Sequence, residues 1–245
     1  MTIVADPAAV LSSDGVADAL RHAILAHRIG PGAKLVEDEI CEVFGVGRTI
    51  VRAALQSLTH EGLVTIIRNR GASVADPGTR DAREVFEARS MLEPRTARSA
   101  AERATPADVS HLQSHIAAEH LALQQGDLGQ AVYLSGLFHN AIAEIADQRT
   151  IAALISALVS RSSLIVAIYW RKPQALCESH AHHALLDAIA AHDGLRAEDL
   201  MKGHLLDLLT NLDLREKTKT ALSLRQAILV SGGPRLLAGG LQSTE

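Results

Sequence analysis

Two groups of residues in this 245-residue chain are of types that do chemistry. The first is basic. Arg48 and Arg52 lie four apart, so on a helix they project from one side. Arg68 and Arg70 follow, with Gly71 directly behind them. Between residues 44 and 74 these four arginines face one acid, Glu61, although the whole chain has a net charge of −4. Affinity for a phosphate backbone depends on the local field of the contacting face, not on the chain total. The bland alternative is a solvated basic face with no ligand.

The second group is imidazole. The chain has 12 histidines. His111, His115 and His120 read as surface positions of a helix. His139 in Leu137-Phe138-His139-Asn140-Ala141-Ile142, His182 in His182-His183-Ala184-Leu185-Leu186, and His204 in Met201-Lys202-Gly203-His204-Leu205 sit in apolar helical stretches. There an unpaired imidazole is costly. Each is either an isolated core histidine bonded to a carbonyl, or one of three that converge from separate helices on a metal or an anion. Spacing alone leaves both open.

The elements that must position these groups can be read in order. Val16 to His27 carries a helical apolar stripe, with Asp14 placed to cap it. Ile29-Gly30-Pro31-Gly32 makes a turn. Glu37 to Phe44 is a short helix, Gly45-Val46-Gly47 a tight turn, and Thr49 to Glu61 a third helix closed by Gly62. Leu63 to Ile67 reads as a strand, residues 68–71 as a hairpin turn and Ala72 to Val74 as the return strand. This is the order of a winged helix-turn-helix. Its second helix enters the major groove by its N-terminal end, here Arg48, Thr49 and Arg52. The wing offers Arg68 and Arg70 beside a permissive Gly71, suited to phosphate or the minor groove.

Asp76-Pro77-Gly78 is a linker. The rest has no strand signal and reads as six or seven helices, with breaks at Thr105-Pro106, Gly126, Lys172-Pro173 and Asp193-Gly194. Thr105, Pro106 and Asp108 form a helix start, and Pro94 is expected to kink its helix. The predicted class is mainly α. It divides into a winged helix-turn-helix at 1–75, a linker at 76–80, an all-helical bundle at 81–230 and a tail at 231–245.

Composition agrees. Hydrophobic residues are 47%, enough for a core, while aromatics are only 2%, which favours helices over a β-sandwich or barrel. Two cysteines, Cys41 and Cys177, exclude a disulfide scaffold and a cysteine-based zinc module. Residues 1–14 lack the basic start of a signal peptide. The apolar run Thr150 to Trp170 reads as a buried helix, not a membrane span. A soluble, cytoplasmic protein without a membrane partner is expected.

The run Pro31-Gly32-Ala33-Lys34-Leu35, Glu37, Gly45-Val46-Gly47-Arg48-Thr49-Ile50-Val51-Arg52-Ala53-Ala54-Leu55, Leu58, Glu61-Gly62-Leu63-Val64 and Arg70-Gly71-Ala72 resembles the GntR family of bacterial transcription regulators. Three positions depart from that pattern. Gly47 stands where Ser or Thr is usual, Ile50 where Pro is common, and Asp38 where many members carry a DNA-contacting Arg. The helical part resembles the FCD effector domain of the FadR subgroup, on Arg89-Ser90-Met91-Leu92-Glu93, Phe138-His139, the stretch from His182 to Ile189, and Met201 with His204.

That resemblance implies a divalent metal, zinc or similar, held by His139, His182 and His204. The family's fourth ligand, an Asp, falls on Ser135, a neutral hydroxyl that ligates poorly. Three imidazoles still suffice for a site with open positions. The implied function is an operator-binding repressor, homodimeric, modulated by a small carboxylate near Arg89 and Ser135. Without metal, the histidines and Arg89 could bind the carboxylate directly. Two other readings stand beside it: a metal-dependent hydrolase using the histidines, which lacks any H-E-x-x-H, G-x-S-x-G or P-loop motif, and a helical interaction protein with a weakened DNA-binding module.

Overall fold

A computed structural model describes residues 12–170 and 179–215. The expected tail, 231–245, and the break at Lys172-Pro173 lie outside these residues. The N-terminal part comprises α1 (Ser13–Leu25), β1 (Lys34–Leu35), α2 (Glu37–Phe44), α3 (Arg48–His60), β2 (Val64–Ile67) and β3 (Gly71–Val74). Six helices follow among the described residues: α4 (Thr79–Arg103), α5 (Pro106–Gln124), α6 (Leu128–Ile145), α7 (Arg149–Tyr169), α8 (Ser179–Ala190) and α9 (Gly194–Thr210).

Local chemistry sets most boundaries. The cap of α1 is Ser12, whose hydroxyl accepts from the Gly15 amide at 3.0 Å. This corrects the expectation that Asp14 caps it; Asp14 sits in the first turn, where a carboxylate favours the positive helix end. The predicted start at Thr105 is present in full. Its hydroxyl accepts from the Asp108 amide and the Asp108 carboxylate accepts from the Thr105 amide, a capping box with Pro106 in the first turn. The helix α4 continues through Pro94, which is buried in it.

The hairpin β2–β3 pairs antiparallel, with Ile67 opposite Gly71 and Val64 opposite Val74. A third strand, β1, adds on the other edge of β3, Lys34 opposite Ser73. Two residues carry no alternation, so the sequence pattern does not reveal it. At the wing tip Gly71 adopts φ +81°, a left-handed conformation that a residue with a Cβ resists.

The winged head closes over Val16, Leu20, Ile24, Val51, Leu55 and Leu58. The same cluster takes Leu164 from α7, so the head and the bundle share packing. Helix α7 is long and apolar enough to cross a membrane by length and composition. Part of its apolar face packs inside the protein, with Leu164 against the head, Ile165 and Val166 in a second cluster with Phe86, and Ile155 and Val159 in a third, while Leu154 is exposed. The bundle's main core gathers Ala97, Leu112, Ile116, Phe138, Ile142, Leu185, Ile189 and Met201 from five helices. At the junction, Gly129 of α6 lies against the end of α1. A Cβ there would stand 2.0 Å from the Ala26 carbonyl oxygen, so only glycine allows this approach.

Candidate functional site

The three histidines converge. His139 on α6, His182 on α8 and His204 on α9 are buried, and one ring nitrogen from each lies within 4.8 Å of the other two. The Nε2 atoms of His139 and His204 are 3.2 Å apart. Two lone pairs repel at that distance, so the gap needs a shared proton or a cation. Two ligands bound tetrahedrally to zinc at ~2.05 Å stand about 3.3 Å apart, close to the separation here. The Nε2 of His182 is buried with no hydrogen-bond partner among the described residues. Helical period explains the projection: Phe138-His139-Ala141-Ile142 and Met201-His204-Leu205 are inward runs, so each imidazole rides an apolar stripe to the bundle centre.

Two carboxylates behind this triad were not read from the sequence. His139 donates from Nδ1 to Glu93 Oε2 at 2.6 Å, and His182 donates from Nδ1 to Glu119 Oε2 at 2.8 Å. Both acids are almost wholly buried. With Nδ1 spent on a carboxylate, each imidazole turns its Nε2 lone pair toward the centre, the arrangement by which second-shell acids orient metal-ligating histidines. A signal for Glu119 existed: it continues the buried stripe Leu112, Ile116, Glu119 on α5, where a charge needs a partner. Glu93 is four residues after Arg89, at ion-pair spacing.

Arg89 donates from Nε to Glu93 at 2.5 Å, from Nη2 to the same carboxylate at 3.3 Å and from Nη1 to Ser162 at 2.9 Å. Burial pushes the Glu93 carboxyl up, but Arg89 and His139 outweigh it and hold it at about 2. Burial pushes the His139 and His204 imidazoles below the ordinary histidine value. The centre is therefore not the cationic pocket that the sequence suggested. One guanidinium stands against two carboxyl groups, and burial favours the neutral form of His139 and His204. Such a donor set suits a cation first. It offers fewer free donors to a bare carboxylate.

A cavity of about 50 Å³ adjoins the triad, lined by Arg89, Ser135, His139, Ser162, Val159 and Val166 among others. Ser135 borders it from α6. Neither His180 nor His183 joins the triad. His180 is exposed and His183 packs on the ring of His120, centroids 5.1 Å apart. His115 and His120 are half-buried, not the surface positions expected of them, whereas His111 is exposed; the Nε2 atoms of His111 and His115 are 3.1 Å apart.

At the other end, Arg48, Thr49 and Arg52 are exposed on α3, and Arg68, Arg70 and Gly71 are exposed at the wing. The basic face is not bare. Arg48 is paired with Asp38 and Arg52 with Glu37, both acids coming from α2. Glu61, the one acid inside the basic stretch, is paired with Arg21 of α1. The excess of positive charge between residues 44 and 74 is thus offset by a helix that lies just before it in the chain.

The comparisons with known proteins agree with this architecture. Residues 12–74 match the family described as bacterial regulatory proteins, gntR family, and residues 84–207 match the FCD domain. The chain is 29% identical over 211 residues to the galactonate operon transcriptional repressor of Escherichia coli K12, covering 76% of this chain and 90% of that protein. It is 28% identical over 193 residues to the transcriptional repressor RspR of the same organism, covering 77% and 83%. The solved structure of McbR/YncC from Escherichia coli superposes with a TM-score of 0.70 at 25% identity, covering 81% of this chain and 97% of that one. A GntR transcriptional regulator from Rhodococcus sp. RHA1 superposes with the same score at 26% identity, covering 81% and 95%. A winged head with an exposed arginine helix, joined to a helical bundle around a buried histidine triad, places this chain in the GntR family of bacterial regulatory proteins, with an FCD domain as its helical part.

Proposed function

We propose that the protein is a transcriptional repressor whose operator binding is set by a small acid bound beside a divalent metal in the helical bundle. The observation that carries this reading is the convergence of His139, His182 and His204 on one buried point, backed by Glu93 and Glu119 and opening on a cavity. In this reading residues 1–75 form the DNA-binding head, 76–80 the linker and 81–230 the effector domain. Arg48, Thr49 and Arg52 face the major groove, and Arg68, Arg70 and Gly71 face the backbone or minor groove. A palindromic operator calls for a two-fold protein, so the acting species is a homodimer. Such a regulator works in the compartment that holds the chromosome, the cytoplasm.

The three imidazoles fit zinc or a similar ion. A bound divalent ion supplies a positive charge with open coordination positions, to which a carboxylate oxygen binds. The chain's own residues do the rest. Glu93 and Glu119 keep the imidazoles oriented and provide the negative charge that an Asp in place of Ser135 would bring. Arg89 spends three of its five N–H groups on Glu93 and Ser162, which leaves one on each terminal nitrogen for a second acceptor. The apolar wall of Val159 and Val166 excludes water. A cavity of about 50 Å³ has room for a few waters, so in this shape it suits an acid of a few carbons. A six-carbon sugar acid of the kind named for the galactonate repressor requires it to widen.

The test is a thermal-shift screen of two- to six-carbon carboxylates with zinc present and after EDTA. A hit should depend on metal, vanish in His182→Ala and weaken in Arg89→Ala, and it should change binding to DNA from upstream of the protein's own gene. Ligands that stabilise the protein equally in both variants would mean the pocket lies elsewhere. A monomeric mass at micromolar concentration, with and without DNA, would remove the dimer.

A further inference from the structure

The face of the head that would meet DNA contains an ion-pair clamp whose geometry selects what its arginines can read. Asp38 accepts from Arg48 Nε at 2.9 Å and from Arg48 Nη2 at 3.1 Å. Glu37 accepts from Arg52 Nε with both oxygens, at 3.1 and 2.9 Å. These acids come from the first turn of α2, which carries Glu37, Asp38 and Glu39. The first turn of α3 has no acid, and its N-cap, Gly47, has no side chain to cap with. Arg48 is therefore a cation at the positive end of its own helix, an unfavourable place. The carboxylates of α2 are what hold it there in one orientation.

We propose that Asp38 and Glu37 are specificity-determining residues that make Arg48 and Arg52 readers of guanine and poor binders of phosphate. The inference rests on the DNA-binding reading above. A guanidinium has two forked edges. Asp38 occupies the Nε/Nη2 edge of Arg48 and leaves the Nη1/Nη2 edge, the one that pairs with the O6 and N7 acceptors of guanine in the major groove. Glu37 takes Nε of Arg52 and leaves both terminal nitrogens. The same acids cancel the charge that would attract any phosphate and repel a backbone that comes close. Among the described residues, the wing arginines Arg68 and Arg70 show no such ion pair, so general backbone attraction falls mainly to them. A head built this way binds random duplex weakly and with little salt dependence, and gains its affinity at sites that present guanine to α3.

The experiment enriches binding sites from a random-sequence duplex library with the wild-type chain, Asp38→Ala and Asp38→Asn. It then measures each protein on its enriched site, on that site with single guanines replaced, and on a random duplex across a salt series. Asp38 is exposed, so both variants should fold, which thermal unfolding checks. For the wild type, replacing a contacted guanine should cost on the order of tenfold or more in affinity. In Asp38→Ala that penalty should shrink several-fold. Random-duplex affinity should rise, and the salt slope should steepen by about 0.9, the value for one added phosphate contact. Asp38→Asn loses the charge but keeps an acceptor for Nε–H, so its random-duplex affinity should rise likewise while more of the guanine penalty survives. If Asp38→Ala keeps the wild-type motif, penalty and salt slope, the clamp is only a surface ion pair and the proposal is overturned. If the wild type enriches no motif, the DNA-binding reading falls and takes this one with it.

Discussion

Glu119→Gln separates a metal centre from a merely structural histidine cluster. The substitution keeps the volume and an acceptor oxygen for the His182 Nδ1–H bond, 2.8 Å in the native protein, and removes one buried negative charge. If Glu119 serves only the fold, the loss of a buried ionic hydrogen bond should lower the stability of metal-free protein. If it serves a cation, the metal-free protein should lose little, because a neutral amide is easier to bury than a carboxylate. Metal affinity should instead fall about 10- to 100-fold, the usual effect of removing an outer-shell partner. At free zinc equal to 100 times the wild-type Kd, the wild type gains about 2.7 kcal/mol of stability. A tenfold weaker variant gains about 1.4 kcal/mol and a hundredfold weaker one about 0.4 kcal/mol under the same conditions. Urea denaturation with EDTA and with buffered zinc reads both quantities on one sample. A variant that is equally stabilised by zinc, but much less stable without it, would refute the second-shell role. A wild type that zinc fails to stabilise would refute the metal centre itself.

Replacing Arg48 and Arg52 together by alanine should abolish operator binding while leaving the fold intact, since both are exposed; for Arg52→Ala alone the loss should be about 1–3 kcal/mol if it reads a base, by fluorescence anisotropy. Gly129→Ala drives a methyl into the Ala26 carbonyl and should destabilise by about 1–3 kcal/mol, whereas Gly203→Ala meets nothing within 4 Å on an exposed helix face and should stabilise by about 0.5–1 kcal/mol, both by urea denaturation. His27, which bonds Ser163 at the junction of head and bundle, is held below the ordinary histidine pKa by burial. It stays neutral in the folded chain while the unfolded chain takes up a proton, so stability is full above about pH 6.5 and falls as pH drops toward the lower folded value. Denaturation of EDTA-treated protein from pH 7.5 to 5.5 should show that decline, to which His139 and His204, lowered in the same way, also contribute, and His27→Gln should make it shallower.

What the sequence by itself determined is what neighbours in the chain decide. Helix α2 spans Glu37–Phe44 as read, because its stop is the glycine turn that follows it. The start of α5 at Thr105 is a bargain among four consecutive residues. The order of helices and hairpin, the exposed arginines and the apolar setting of His139, His182 and His204 were legible for the same reason. What only the tertiary structure decided is which distant groups meet. The convergence of three histidines was suggested by resemblance, and geometry supplied it, since their separations in sequence carry no distance. Glu93 and Glu119 went unread because a carboxylate's partner depends on which helices pack together, and it is those partners that turn a supposed anion pocket into a centre suited to a cation. The pairing of Arg48 with Asp38 and of Arg52 with Glu37 was hidden likewise. Charge counted along a segment ignores the helix packed across it, and Coulomb interactions run through space, not along the chain.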